Sequence, residues 1–278
     1  MHITLLFPQK TLQKYAEAAK ATPAPHGSLW KEALAPYFEK LTCYAPYDMS
    51  ERFPDPPGDI AKFEVSLETL ASLGAEKLLK GFEIISRRLV KEDEDTIYVL
   101  LLPGENRAVL SEQNGVVGTS FFGNILIEAD PDGKDYEKWI DYVFAHEYHH
   151  SVWGDHWYVK HPGKAADNLL TQLVSEGQAD LFAMSFFENV KPSWLFGIGE
   201  SELREVWEKH YKPNLLKTDY DRRRFILGDG LEIPRFAGYA LGYRLAKGVM
   251  EQRGLGFGGL MKLNPNEFVP AHTDKFLP

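Results

Sequence analysis

The chain has 278 residues, 44% of them hydrophobic and 26% charged, which are ordinary proportions for a globular protein that buries a core. Its formal net charge of −9 leaves no surplus of lysine and arginine to displace counterions, which argues against a nucleic-acid partner. Cys43 is the only cysteine, so a disulfide framework within the chain and a cysteine-rich zinc site are both excluded.

The N-terminal apolar run covers only residues 3–7, which is too short for the apolar region of a secretory signal peptide. No apolar stretch approaches the length needed to span a membrane. We therefore expect a cytoplasmic protein with no membrane partner.

The first third of the chain predicts one strand followed by helices. Residues 3–7 predict the strand, and the stretches 11–20 and 28–41 predict two helices separated by a proline-rich turn. Residues 44–58 contain four prolines and predict a loop. The apolar spacing from residue 59 to about residue 90 then predicts helical structure.

Strands and then helices follow in separate blocks. The predicted strands are residues 96–102, 116–122 and 124–128, with a tight turn at Gly123. The predicted helices are residues 134–153, with Gly154 placed to cap the C-terminus, then 167–188, 201–211, 234–252 and a short one within 254–263. Because strands lie before residue 130 and helices after it, the pattern indicates an α+β fold, with a small N-terminal sheet and a mainly helical C-terminal half.

The motif His146-Glu147-Tyr148-His149-His150 lies inside the predicted helix 134–153. Positions four apart lie on one helix face, so His146 and His150 can bind one metal ion. Glu147 leans toward the same side and can reach a water molecule beside that metal. Two neutral imidazoles with an adjacent carboxylate are typical of a hydrolytic zinc site. His149 is expected at the rim of the site.

A catalytic zinc site needs a third protein ligand, and the sequence offers two candidates. Glu176 lies on the next long predicted helix, with Asp180 one turn further along the same face. His156 is the alternative metal ligand, because it extends the motif to H-E-x-x-H-x-x-x-G-x-H. Trp153, however, stands where that longer pattern requires a chain-reversing glycine, and this favours Glu176.

Together, HEYHH on one helix and SEGQAD on the next resemble the YjaZ-type bacterial zinc-protease family, which is defined as a domain of unknown function. More distantly, the pair is similar to the gluzincins, the group that includes thermolysin. The resemblance covers residues 96–248 and implies a zincin-like fold, one zinc ion and a gluzincin-like protease domain at residues 96–278. Residues 1–95 form an α-rich region of unassigned role, either separate or part of one compact unit.

The same resemblance implies a role for individual residues. The zinc ligands would be His146, His150 and Glu176, Glu147 would be the general base, and Asp180 would accept a hydrogen bond from a ligand histidine. Gluzincins bind an extended peptide along a strand edge just before the active-site helix. The residues in the corresponding place here are Gly118, Thr119, Ser120 and Phe121.

Two tyrosines on a later predicted helix are candidates for the donor that stabilises the reaction's oxyanion. Tyr239 and Tyr243 lie four residues apart and so share one helix face. The resulting prediction is a zinc-dependent peptidase that acts on a peptide or protein substrate. Two alternatives stay open: a zinc-stabilised, chaperone-like interaction protein without catalytic activity, and a hydrolase of non-peptide amides on the same scaffold.

Overall fold

The computed structural model describes residues 2–91, 95–105, 112–187 and 190–268. Contacts within the chain divide it into two compact units, Met1–Ser151 and Val152–Pro278. The division between residues 1–95 and 96–278 as separate domains stays a prediction.

The first unit contains a four-stranded sheet in the order β1-β2-β4-β3. Its strands are β1 (His2–Leu6), β2 (Thr96–Pro103), β3 (Val116–Phe121) and β4 (Asn124–Ala129). The pairs β1–β2 and β2–β4 are parallel, whereas β3 and β4 are antiparallel. All four strands were expected from the sequence, to within two residues at each end. β3 lies at one edge of the sheet.

Burial explains the order of the strands. In the central strand β2, five consecutive residues from Val99 to Pro103 are buried, as expected of a parallel strand covered on both faces. The neighbouring strand β4 is almost as apolar, with Ile125, Leu126 and Ile127 buried. In β3 only the two end residues are buried, which is the pattern of an edge strand.

Four helices of the first unit lie between β1 and β2 in the chain. They are α1 (Gln9–Ala21), α2 (Gly27–Leu41), α3 (Ile60–Ser72) and α4 (Ala75–Ser86). The helical pattern expected from residue 59 to about residue 90 corresponds to the two helices α3 and α4. Gly74 lies between them with a positive φ of 78°, which a glycine adopts at little cost, and the chain changes direction there. The expected loop at 44–58 contains only a short 3-10 turn, Ser50–Arg52.

The helix with the HExxH motif, α5 (Tyr136–Gly154), is held within the first unit by contacts on several sides. The ring of Phe144 stacks on Phe82 of α4 at a centroid distance of 4.0 Å. The Tyr148 hydroxyl donates to the backbone oxygen of Leu89 at 2.7 Å, and Ser151 Oγ donates to the backbone oxygen of Gly123 at 2.7 Å. These contacts fix the rotation of α5 about its axis, which decides where the motif side chains point.

The expected cap at Gly154 is wrong. Gly154 has φ −64° and ψ −41°, which is right-handed helical, and the chain continues into a π-helical turn, Asp155–Lys160. A glycine caps a helix by adopting the left-handed conformation, and Gly154 does not adopt it.

The described residues of the second unit form helices joined by turns and irregular segments, with no strand among them. Its elements are α6 (Leu169–Met184), α7 (Ser193–Phe196), α8 (Glu200–Val206), α9 (Arg222–Leu227), α10 (Ala237–Arg253) and α11 (Phe257–Lys262). The long helices α6 and α10 pack at close range, because a Cβ at Gly177 would overlap the backbone oxygen of Gly242. Among the described residues, no helix has both the length and the apolar character needed to cross a bilayer.

Candidate metal centre

His146 and His150 project from the same side of α5, as the spacing predicts. Their Nε2 atoms lie 3.1 Å apart, and the two rings meet edge to face at a centroid distance of 4.7 Å. Both residues are half-buried. The two Nε2 atoms are therefore close enough to bind one metal ion.

Glu176 lies on α6 with its residue only 6% exposed. Helix α6 begins at a side-chain cap, in which Asn168 Oδ1 accepts from the backbone N–H of Thr171 at 2.9 Å. One turn before Glu176, Gln172 Nε2 donates to Glu176 Oε1 at 2.8 Å. This hydrogen bond orients the carboxylate and offsets part of the cost of burying its charge.

His146, His150 and Glu176 each offer one ligand atom, and these atoms all lie within 4.8 Å of one another. Two imidazole nitrogens and a carboxylate oxygen are a donor set that suits zinc. Two zinc–nitrogen bonds of about 2.05 Å at a tetrahedral angle place their nitrogens roughly 3.3 Å apart, close to the observed separation. The residues therefore fit a bound metal ion.

His156 lies outside this group of three among the described residues. It is in the π-helical turn that follows α5, where its ring contacts Trp157 at 4.8 Å and His161 at 4.3 Å between centroids. The donor geometry thus favours Glu176 over His156 as the third ligand.

Glu147 is 8% exposed and lies against β3. A Cβ at Gly118 would lie 2.5 Å from Glu147 Cγ and 2.6 Å from Val143 Cγ1. Gly118 therefore leaves the space in which the Glu147 side chain lies. The other three β3 residues named from the sequence differ in burial: Thr119 is exposed, Ser120 is half-buried and Phe121 is buried against Phe38.

The expectation that His149 lies at the rim is wrong. His149 is 1% exposed, next to Tyr148, which is fully buried. Helix α5 is covered on more than the one face that the motif spacing defines, so a residue beside the motif is buried as well.

Asp180 is fully buried on α6, where Trp194 Nε1 donates to its Oδ1 at 3.3 Å. Its role as acceptor from a ligand histidine stays a prediction. Of the two tyrosines, Tyr243 is buried with its ring edge to face against Phe196. Burial raises the pKa of the Tyr243 phenol, and the charges of Asp180 and Glu251 raise it further. Tyr239 is half-buried on the same helix, and the role of either phenol as an oxyanion donor stays a prediction.

Arg222 is a residue near Glu176 that the sequence analysis missed. Its Nη2 atom lies 3.8 Å from Glu176 Oε1, and its side chain is 68% exposed. The only signal in the sequence is a run of three arginines after Asp221. Such a run gives no hint of which arginine faces a metal ligand, because that depends on how α9 packs against α6.

Two further tyrosines share this neighbourhood. Desolvation of its phenol raises the pKa of Tyr158, although the residue as a whole is 59% exposed. The charges of Asp167 and Glu176 raise this pKa further, and that of Arg222 lowers it. Burial likewise raises the pKa of Tyr220, while Arg222 lowers it. Both phenols therefore lie within electrostatic reach of Arg222 and Glu176.

Comparison with known proteins identifies a family. A protein-family model described as "Predicted Zn-dependent protease (DUF2268)" matches residues 76–270, well over half of the chain, and this range includes both motifs. No curated protein matches the chain, and no solved structure matches it.

Proposed function

The chain belongs to the DUF2268 family of predicted Zn-dependent proteases, and on that basis we propose that it is a zinc-dependent peptidase of gluzincin type, with a zincin-like fold around its active-site helix. The observation that carries the proposal is the convergence of ligand atoms from His146, His150 and Glu176 within 4.8 Å. Glu147 directly follows the first of these ligands in the sequence. A cytoplasmic location stays a prediction.

One zinc ion would be held by His146, His150 and Glu176. When bound, it supplies Lewis acidity, which lowers the pKa of a water molecule toward neutrality and polarises a carbonyl group. The donor set also accepts other divalent ions, so the identity of the metal is part of the proposal.

Glu147 acts as the general base. Its carboxylate takes a proton from the water that attacks the scissile carbonyl carbon, and it then gives that proton to the leaving amine as the carbon–nitrogen bond breaks. The position of Glu147 supports this role, since it is one residue from His146 and is held in a space that Gly118 leaves open.

The edge strand β3 binds the substrate backbone. Its residues Gly118, Thr119, Ser120 and Phe121 belong to a strand at the edge of the sheet, and an extended peptide can add to such an edge by backbone hydrogen bonds. A phenol from Tyr239 or Tyr243 would donate to the developing oxyanion.

The peptidase accounts for more of the site than the two alternatives. A purely structural zinc site is closed by four protein ligands, whereas three are found together among the residues described here. A non-catalytic site also gives no reason for a buried carboxylate at position 147. A hydrolase of non-peptide amides would use the same metal ligands and the same general base, Glu147. It differs from the peptidase only in the substrate.

The test is digestion of a broad peptide library by the purified protein, with and without a chelator, for wild type and Glu147→Gln. We expect wild type to cleave peptides only in the presence of metal, and Glu147→Gln to bind zinc at wild-type stoichiometry but lose hydrolysis by at least about 100-fold. Glu137→Gln, an exposed change on the same helix, is the matched control and keeps full activity. Retained hydrolysis in Glu147→Gln would refute the mechanism, and bound zinc without any cleavage would favour the interaction protein.

A further inference from the structure

We propose that Arg222 recognises a carboxylate of the substrate, so that this peptidase acts on peptides that carry a carboxylate close to the scissile bond. The inference rests on the proposed peptidase function and deepens it by naming a substrate class.

Arg222 is placed where a group next to the metal can be recognised. It is the first residue of α9, and its Nη2 atom lies 3.8 Å from Oε1 of Glu176, whose side chain is 7% exposed. The Arg222 side chain itself is 68% exposed. The guanidinium therefore has one end beside a metal ligand and the rest open to an incoming molecule.

Structural ion pairs do not occupy Arg222 as they occupy its neighbour Arg224. Arg224 Nε donates to Asp229 Oδ2 at 2.8 Å, and its Nη2 pairs with Glu232. The separation between Arg222 and Glu176 is longer than a direct hydrogen bond, and the described residues contain no other ion pair for Arg222. Its donors are thus available for a planar, two-point contact with a carboxylate.

Metal binding would strengthen this preference. Glu176 is the anion beside Arg222, but a carboxylate that coordinates a divalent ion shares its charge with that ion. The attraction between Arg222 and Glu176 falls accordingly, and two neutral imidazoles add no negative charge. A substrate carboxylate can then neutralise the positive charge of Arg222.

The surroundings of Arg222 suit an anion that can accept hydrogen bonds. The phenols of Tyr158 and Tyr220 are in the same electrostatic neighbourhood and can donate to a carboxylate. Asp167, which is exposed, and Glu176 carry negative charge within reach of these phenols and oppose such binding; metal coordination reduces the opposition from Glu176. The carboxylate can come from a peptide C-terminus or from an acidic side chain, and both have the same chemistry.

The test uses zinc-loaded, immobilised Glu147→Gln protein, which binds peptides without consuming them. Three tetrapeptide libraries serve as probes: free C-termini without Asp or Glu, amidated C-termini without Asp or Glu, and amidated C-termini with Asp and Glu. We expect the first or the third library to be retained at least about tenfold more than the second, a difference of about 1.4 kcal/mol. The first library identifies a terminal carboxylate as the source, and the third an acidic side chain.

Adding Arg222→Gln to the Glu147→Gln protein should abolish the greater retention of carboxylate-bearing peptides. Arg223→Gln, which removes the same charge from an exposed neighbour, should preserve it. On any acidic peptide that otherwise unmodified protein cleaves, Arg222→Gln should raise KM and leave kcat nearly unchanged. Zinc content is measured for each variant at saturating zinc.

Equal retention of all three libraries, or retention of none, would overturn the inference. It would also be overturned if the greater retention of carboxylate-bearing peptides survived Arg222→Gln. Loss of zinc from Arg222→Gln at saturating zinc would also overturn it, because Arg222 would then serve the metal ligands. The peptidase function is judged separately, by cleavage with wild-type protein. Cleavage that ignores substrate carboxylates would leave that function standing and refute only the role of Arg222.

Discussion

The side chain of Glu147 lies in the space that a β-carbon of Gly118 would need. Such a carbon would be 2.5 Å from Glu147 Cγ and 2.8 Å from Glu147 Oε1, both closer than real Cβ atoms approach other atoms. Strand β3 can therefore pass the motif helix at this height only because residue 118 has no side chain. The position of the proposed base and the path of the proposed substrate strand depend on each other.

Replacing Gly118 by alanine should displace the Glu147 carboxylate. Gly118 is not among the glycines with positive φ, so the change acts through its added methyl group and not through backbone strain. We expect kcat/KM to fall at least about tenfold while zinc binding persists, and the free energy of unfolding to fall by about 1–3 kcal/mol because the site is overpacked. Peptide hydrolysis, zinc content and urea denaturation measure the three quantities.

Thr119→Ala is the control for Gly118→Ala, because Thr119 is exposed on the same strand. Its kcat/KM should stay within a factor of about two of wild type, and its free energy of unfolding within about 0.5 kcal/mol. Full activity in Gly118→Ala would show that Glu147 adjusts freely and that β3 does not hold it in place.

Zinc should stabilise the folded protein through the three converging residues. A ligand at about 100 times its dissociation constant adds about 2.7 kcal/mol to the free energy of unfolding, so zinc should raise Tm by several degrees and a chelator should reverse the rise. His146→Ala should abolish this shift, as measured by thermal unfolding with and without zinc.

His156→Ala separates the two candidates for the third ligand. We expect this variant to keep the zinc-dependent rise in Tm, because His156 lies outside the converging group. If His156→Ala lost the shift and Glu176→Gln kept it, the assignment of Glu176 as a ligand would be wrong.

Asp141 should make the folded protein less stable as pH rises. Burial raises the pKa of its carboxyl from 3.8 to about 6, against an opposing effect of Lys77. Since the folded-state pKa exceeds the unfolded value, the folded state binds the proton more tightly between pH 3.8 and about 6. The contribution of Asp141 to stability is therefore fully present below pH 3.8 and is lost as pH rises through about 6.

Asp141→Asn should remove this dependence. We expect the variant to be more stable than wild type at pH 7.5, by on the order of 1–3 kcal/mol, with a smaller gain at pH 4.5. Denaturant unfolding at the two pH values measures the difference, and Glu137→Gln on the exposed side of the same helix serves as control. An equal change at both pH values would mean that Asp141 does not titrate in this range.

Local spacing was enough to predict that His146 and His150 share one helix face, where both can reach one metal ion. Residues four apart on a helix share a face whatever the rest of the fold does, so His146 and His150 were identified from the sequence, and the helix with Glu176 and Asp180 was identified by its own periodicity. The resemblance to the YjaZ-type family is confirmed by the family match. The α+β class and the four strands also followed from local apolar patterns.

Features that depend on contacts between distant residues were missed or predicted wrongly. His149 was expected at the rim and is buried, since the motif spacing defines one face of α5 and not how many faces are covered. Gly154 was expected to end the helix, yet the chain continues into a π-helical turn, and the break near Gly74 within the helical stretch 59–90 was not predicted. Glycine permits a left-handed turn, but the surrounding chain decides whether it is used.

The sequence by itself determined that His146, Glu147 and His150 lie together, because their positions depend on spacing along one helix. That the carboxylate of Glu176 converges with the two histidines was decided by the tertiary structure. Only the tertiary structure decided that Gly118 faces Glu147 and that Arg222 lies beside Glu176. Those pairs are joined by packing between separate elements, and the free energy of packing depends on shape and volume that no single stretch of sequence contains.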